Sequence, residues 1–342
     1  MKAAVIGLGS MGRRRIRCLQ TLGVREIVGL DLRADRRAEA ERTYGVRVVE
    51  HSPDLWAARP DCAVISVPPK QHVPRMWECV QHRVPFFVEA SVVDDGLADV
   101  IAAVDAAGLL AAPSSTLHFH PAIRAVGEIV RSGRLGRLSN VLLHSGQYLP
   151  DWHSYESVAE FYVSDPSTGG GREIMPFELT WLTEVFGFPR RVAGNHRKTI
   201  DIPGAEAIDD TYNALLDYGT FLASLTVDVV SRNATRRLTI NGSEAQLAWS
   251  WEEPVIRLFD GADRRWSELP YRTDTSAAGY NKNITESMYV DEVRAFLDAL
   301  AGGAAFPNSL RRDHAVLQLL YALEESDRSG RFADVSRLGV SR

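Results

Sequence analysis

Lys2-Ala-Ala-Val-Ile-Gly7-Leu8-Gly9-Ser10-Met11-Gly12 is the stretch whose reading decides the fold. Residues 3–6 are small or β-branched with no polar alternation, the pattern of a strand buried on both faces. The strand runs directly into a G-x-G-x-x-G, and a helical stretch follows from Gly12 to Leu22. A second apolar strand, Glu26 to Leu30, ends on Asp31, about 20 residues beyond the glycines. Each part has a physical task. Gly7 permits a tight turn out of the strand, Gly9 lets a pyrophosphate approach the backbone, and Gly12 lets the helix pack close to the strand. The N–H groups at the helix start hold phosphate. Gly7, Leu8, Gly9, Ser10, Met11 and Gly12 are therefore read as a dinucleotide loop. Asp31 would bind the adenosine ribose hydroxyls and repel a 2′-phosphate, which favours NAD over NADP. Arg33, with Arg36 and Arg37 beyond it, could partly offset that repulsion.

Outward from this stretch, strands and helices alternate. A polar helix at Ala34–Tyr44 precedes a short strand at Val46–Val49, and a helical turn at Pro53–Ala58 precedes the buried run Asp61–Val67. That run ends in Pro68-Pro69-Lys70-Gln71-His72. Ligands in a parallel sheet lie beyond the carboxyl ends of the strands, so Ser66, Pro68 and His72 should border the dinucleotide. Helices at Val73–His82 and Asp94–Ala107 flank a fifth strand around Pro85–Ser91, and a sixth follows at Leu109–Ala112. Such alternation gives a doubly wound, mostly parallel Rossmann sheet.

After a helix at Pro121–Ser132 the pattern changes. Strand candidates follow at Leu138–Gln147, Arg191–Gly194, Thr211–Asp217, Phe221–Val230, Arg237–Asn241, Ala245–Ser250 and Val255–Phe259, interrupted by a helix at Pro176–Phe186. Asn241-Gly242 is a hairpin signal. An open, mostly antiparallel sheet covered on one side is expected. Tyr271–Asn283 reads as a loop, and helices at Tyr289–Leu300 and Leu310–Ser326 close the chain. The expected organisation is a Rossmann domain over 1–119, a C-terminal α+β domain over 120–330 for substrate and oligomerisation, and a frayed tail over 331–342.

Composition sets bounds on this reading. With 342 residues the chain is too long for one small core. A hydrophobic content of 45%, a charged content of 24% and a net charge of −5 suit a soluble globular protein. They give no electrostatic footprint for nucleic acid. No apolar run reaches membrane-spanning length. Three cysteines without metal or redox spacing, and no signal peptide, point to the cytoplasm. No cluster has the ligand spacing of a metal site.

The whole pattern resembles the Gfo/Idh/MocA family, relatives of glucose–fructose oxidoreductase and inositol dehydrogenase. The resemblance spans about residues 2–330 and rests on several features together. These are Gly7–Gly12 with Asp31, Ser66-Val-Pro-Pro-x-x-His72, Glu89 after a buried strand, His118-Phe-His120-Pro121, Gly169-Gly170-Gly171 ahead of a helix, and Phe306-Pro307-Asn308-Ser309 between the last helices. It implies reversible hydride transfer between a nicotinamide cofactor and a sugar or polyol carbinol, a homodimer or homotetramer, and Glu89 and Ala90 near the nicotinamide.

Two departures bear on the chemistry. The family commonly carries Glu-Lys-Pro after the fifth strand, its Lys moving the hydroxyl proton; here the triplet is Glu89-Ala90-Ser91. The family also places an Asp and a His four residues apart after the triple glycine; here those positions read Glu173 and Phe177. Alcohol oxidation needs a proton acceptor, and Ala90 and Phe177 cannot serve. His118 and Glu173 are the candidates to replace them. His120, Tyr148, Trp152, His153, Tyr155, Phe177 and Glu178 are candidates to face substrate, with His120 equally suited to cap the helix at Pro121. The reading is an NAD-dependent oxidoreductase acting on a sugar, cyclitol or sugar-derived molecule. Alternatives are reduction of an imine or conjugated C=N or C=C bond, and a non-catalytic dinucleotide sensor or scaffold.

Overall fold

The computed structural model describes residues 1–152, 157–160, 162–274 and 285–338. The chain packs as two compact units, Met1–Thr116 with Ser287–His314, and Leu117–Glu286 with Ala315–Arg342. The first unit is thus discontinuous in sequence, whereas the sequence reading ended it at residue 119 and placed 120–330 in the second.

In the first unit, strands β1 (Lys2–Ile6), β2 (Glu26–Leu30), β3 (Arg47–Val49), β4 (Cys62–Ile65), β5 (Phe86–Val88) and β6 (Ala111–Pro113) form one sheet in the order β3-β2-β1-β4-β5-β6. Every neighbouring pair is parallel. Helices α1 (Ser10–Thr21), α2 (Ala34–Tyr44), α3 (Ser52–Ala57), α4 (His72–His82) and α5 (Leu97–Ala107) make the crossovers. Helices on both faces explain the unalternating strands, and Ala3, Ala4 and Val5 are wholly buried. The register sets the site. Ile6 lies beside Leu30 and Ile65, Ile65 beside Val88, and Val88 beside Pro113. The next residues, Gly7, Asp31, Ser66, Glu89 and Ser114, therefore share the carboxyl edge of the sheet. Helix α8 (Glu286–Leu300) and the start of α9 (Leu310–Ser329) also belong to this unit.

The second unit is built on a nine-stranded sheet. Its strands are β7 (Leu138–Tyr148), β8 (Arg191–Arg197), β9 (Thr211–Asp217), β10 (Leu222–Asp228), β11 (Val230–Gly242), β12 (Ala245–Ser250), β13 (Val255–Asp260), β14 (Arg265–Pro270) and β15 (Ala333–Asp334). The order is β14-β13-β12-β11-β7-β10-β9-β8-β15, and only β7 and β10 run parallel. Residues alternate in and out, as in Tyr212, Ala214 and Leu216 against Asn213 and Leu215. The inward set joins helices α6 (Pro121–Arg131), α7 (Gly171–Phe186) and the rest of α9 in one core.

Three expectations need correction here. Helix α7 begins at Gly171 and runs through Pro176, five residues before the expected start. Proline suits a first helical turn and so looked like the beginning. Strand β14 was missed because it is almost wholly exposed and carries no apolar face to read. The tail is not frayed at residues 333–335. Ala333 and Asp334 pair with Val192 and Arg191, and the buried Val335 donates its N–H to the Arg190 carbonyl at 2.9 Å. A two-residue strand is too short to show a period.

Candidate active site

At the carboxyl edge of the parallel sheet the three glycines do different work. Gly7 has φ +92°, and a side chain there would lie 2.5 Å from the Ser66 carbonyl oxygen. A Cβ at Gly12 would fall 1.8 Å from the Gly7 oxygen, so that glycine seats α1 on the turn. Gly9 has an ordinary extended backbone, φ −69°, and the nearest group to a Cβ there is the Arg36 guanidinium at 3.5 Å. The protein's own packing makes no demand for glycine at this position. What glycine leaves there is open space before the start of α1, whose first turn carries no acidic residue and whose cap Gly9 offers no side-chain acceptor. That is the cradle a pyrophosphate needs. Ser10 and Met11, both half-buried, form the first turn, and Leu8 packs its side chain against Gly29.

Asp31 is aimed by backbone: Leu8 N–H donates to Oδ2 at 2.8 Å and Arg33 N–H to Oδ1 at 2.9 Å. A carboxylate held this way at the end of β2 suits two ribose hydroxyls. Of the three arginines beyond it, Arg33 turns outward to Asp35, and Arg37 binds the carbonyls of Asp31 and Leu32 and the Glu50 carboxylate. Arg36 is the one beside the cradle, 4.0 Å from Asp31 Oδ2.

His72 is fully engaged by the protein. Its Nε2 lies 2.9 Å from the Val67 carbonyl and its Nδ1 2.9 Å from Ser91 Oγ. The carbonyl can only accept, so Nε2 carries the proton and Nδ1 accepts from the serine hydroxyl. Burial lowers its pKa to about 4, so the ring stays neutral. It clasps the turn after β4 to the turn after β5. Pro68 is exposed in that turn, while Ser66 reaches inward and donates to Glu89 at 3.2 Å.

Glu89 anchors a network that no local sequence pattern announces. Arg15 of α1 grips it with Nε and Nη2 at 2.7 and 2.8 Å, and reaches Glu292 of α8 with Nη1 at 2.8 Å. Glu292, itself wholly buried, accepts from the Ser114 and Thr116 hydroxyls and the Ser115 N–H. Burial opposes the charge on Arg15, but the carboxylates of Glu89 and Glu292 outweigh it and hold the guanidinium ionised. Ala90, half-buried beyond Glu89, offers no polar group. Arg15 could have been flagged from its place on the same helical face as Cys18 and Leu19, three and four residues on.

The second unit holds the other candidates. Glu173 lies in the first turn of α7, where its Oε1 accepts the Tyr162 hydroxyl. Its Oε2 is buried with no hydrogen-bond partner among the described residues. Burial raises its pKa to about 7, against the opposing pull of Tyr162. Phe177, one turn on, is half-buried against the core. Glu178 is wholly buried, its Oε1 gripped by Arg236 at 2.5 and 2.9 Å and its Oε2 by Trp181 Nε1 at 2.7 Å. His120 caps α6, its Nδ1 accepting the Ala122 N–H at 3.2 Å, and burial lowers its pKa to about 3. His118 pairs through Nδ1 with Glu184 at 2.6 Å and keeps a quarter of its side chain exposed. Tyr148 lies under the Arg232 guanidinium, 3.7 Å from its ring centroid. The buried Trp152 Nε1 finds no acceptor among the described residues. His153 and Tyr155 lie outside the described residues.

The triple glycine is a packing device. Side chains at Gly169, Gly170 and Gly171 would strike Val163, Asp209 and Tyr212 at 1.8, 2.5 and 2.8 Å. No group of His, Cys, Asp and Glu among the described residues could hold a metal ion.

A parallel sheet with an open glycine cradle and a backbone-aimed acid at its carboxyl edge defines a dinucleotide-binding oxidoreductase fold. Two family models match the chain: the oxidoreductase family's NAD-binding Rossmann fold over residues 1–120, and the GFO/IDH/MocA C-terminal domain over residues 123–248. The chain belongs to the Gfo/Idh/MocA oxidoreductases, and its nicotinamide cofactor is NAD. Among similar solved structures is levoglucosan dehydrogenase with NADH, 16% identical with a TM-score of 0.83 over 98% of this chain and 99% of that one. An Agrobacterium radiobacter oxidoreductase with NAD+, L-tartaric acid and magnesium is 14% identical, TM-score 0.83, over 98% of both chains. The WlbA dehydrogenase of Bordetella pertussis with NADH and UDP-GlcNAcA is 16% identical, TM-score 0.78, over 98% of both. A search of curated protein sequences gave no match.

Proposed function

We propose that the protein is an NAD-dependent dehydrogenase of a sugar, cyclitol or sugar-derived alcohol, with Glu173 taking the hydroxyl proton. The observation that carries the proposal is the state of Glu173: a buried carboxyl, pKa about 7, with one oxygen not engaged by any described residue. A base titrating near neutrality is what alcohol oxidation needs, and it stands in for the lysine that the family resemblance would place at Ala90. NAD supplies, when bound, the acceptor for the carbinol hydride. Gly9 and the start of α1 would hold its pyrophosphate, Asp31 its adenosine ribose, and Ser66 and Glu89 would border the ring. His118, oriented by Glu184, is the second candidate to carry a proton. The Trp152 N–H, which no described residue engages, would offer a donor for a substrate hydroxyl. Two of the structural relatives, levoglucosan dehydrogenase and the WlbA complex with UDP-GlcNAcA, are tied to sugars.

An imine reductase would use the same carboxyl as proton donor to nitrogen, but the two relatives named above are tied to sugars and not to imines. A non-catalytic sensor has no use for a carboxyl titrating near neutrality. We also propose a homodimer or homotetramer formed on the open face of the second unit's sheet, in the reducing setting of the cytoplasm. Its three cysteines are buried and form no disulfide among the described residues. Among the described residues no helix is long and apolar enough to cross a membrane.

The test uses Glu173→Gln and His118→Asn with NAD and a polyol and sugar panel. Loss of Glu173 should cost about 10²-fold or more in rate while NADH binding, followed by nicotinamide fluorescence, stays unchanged. A Gln variant that turns over at the parent rate overturns the assignment.

A further inference from the structure

We propose that Tyr162 is the positioning residue of the active site: its hydroxyl occupies one oxygen of Glu173 so that Oε2 alone receives the substrate's proton. The inference rests on the assignment of Glu173 above.

The backbone around Tyr162 is fixed from several sides. Its carbonyl accepts the Asp165 N–H and the Thr168 hydroxyl, both at 3.1 Å. The next residue, Val163, is wholly buried, and its carbonyl accepts the Gly170 N–H at 3.2 Å. Gly169 is pressed against that same carbonyl so closely that no side chain fits between them. The glycines that seat the start of α7 therefore also fix the short 3₁₀ turn Tyr162–Ser164. A phenol presented this way donates to Oε1 from a set direction, and no described residue engages Oε2.

The other charged and titratable groups that neighbouring elements bring to α7 are matched elsewhere. Glu324 of α9 pairs with Arg172, Arg236 of β11 with Glu178, and His118 with Glu184, while Tyr212 of β9 stacks on His196. Burial and the Tyr162 hydroxyl are the influences that set Glu173. A hydrogen bond donated to a carboxylate favours its ionised form, and burial disfavours it. Tyr162 thus keeps the carboxyl from being lifted out of the working range. In the reaction the substrate O–H bond would break, its proton would go to Oε2, and the electron pair left on oxygen would close the carbonyl as the carbinol carbon gives up its hydride, for which NAD+ would be the acceptor.

Two readouts separate this role from a structural one. Glutamate-labelled protein, free of substrate, is titrated by ¹³C NMR, with the Glu173 signal identified by its loss in Glu173→Gln. The pH profile of kcat/KM is measured on the polyol that the parent oxidises best. Tyr162→Phe should raise the Glu173 pKa by about one unit, a tenfold change in proton affinity, and carry the acid limb of the profile with it. A Glu173 signal that titrates at the same pH in Tyr162→Phe as in the parent overturns the inference. If Glu173→Gln loses the rate while Tyr162→Phe moves neither readout, Tyr162 fails alone. If Glu173→Gln keeps the rate, the underlying assignment fails.

Discussion

Alanine at Gly9 and alanine at Gly12 should fail in different ways, because the two glycines are packed differently. At Gly9 a methyl group meets only the Arg36 guanidinium at an ordinary contact distance, on a backbone that any residue adopts. The variant should melt with the parent and bind NADH at least about tenfold more weakly, because the methyl fills the pyrophosphate cradle. At Gly12 the methyl would overlap the Gly7 carbonyl, and the expected result is loss of the fold. Melting curves beside fluorescence titrations with NADH check both. The motif and a separate task for each glycine were read from the sequence; how closely each glycine is packed was not. The histidines show the same limit. His72 and His120 were legible as polar residues at a turn and a helix start. Capping was one of the roles read for His120; that His72 clasps two turns, and that burial keeps both rings neutral, needed the fold.

Helices with a plain period and clear stops were the most legible elements. Helix α2 has the bounds its sequence suggests, and α5 ends at Gly108 in the left-handed conformation that favours glycine. The start of α7 was hidden by Pro176, and with it the place of Glu173 in a first turn. The start of α9 holds a second carboxyl of the same kind. Asp313 is 5% exposed, its Oδ2 has no partner among the described residues, and burial raises its pKa from 3.8 to about 7. The native state thus keeps a proton that the unfolded state releases, so stability falls as pH rises through that window and levels off above it. Asp313→Asn imitates the protonated form and avoids the loss. Its gain in urea midpoint over the parent should be small near pH 4, grow to about pH 7, and stay constant beyond. A gain independent of pH would show that the carboxyl's charge is not the cost.

For the molecule as a whole, the two-unit plan and the sheet types were legible because buried parallel and half-exposed antiparallel strands leave different patterns. Partners distant in sequence were not: Arg15 meets Glu89 and Glu292, and Tyr162 meets Glu173, through folding alone. The open face of the second sheet belongs to this scale. Leu142 and Leu215 flank Ser224 in register, with Leu222 beside them on β10, and the three leucines are 49–60% exposed. This patch is the place where the proposed oligomer would form. Leu215→Arg should convert the proposed oligomer to monomers in sedimentation velocity, leaving NADH binding unchanged; an unaltered sedimentation coefficient would remove this face from the assembly. The discontinuity of the first unit reaches further, into the birth of the protein. As the chain leaves the ribosome, all six parallel strands emerge long before residue 292 is made. Until then Arg15 meets one carboxylate instead of two, and the hydroxyls of Ser114 and Thr116 lack the acceptor that Glu292 provides. The dinucleotide-binding unit thus completes its buried hydrogen-bond network only when a segment about 175 residues beyond its last parallel strand has been made.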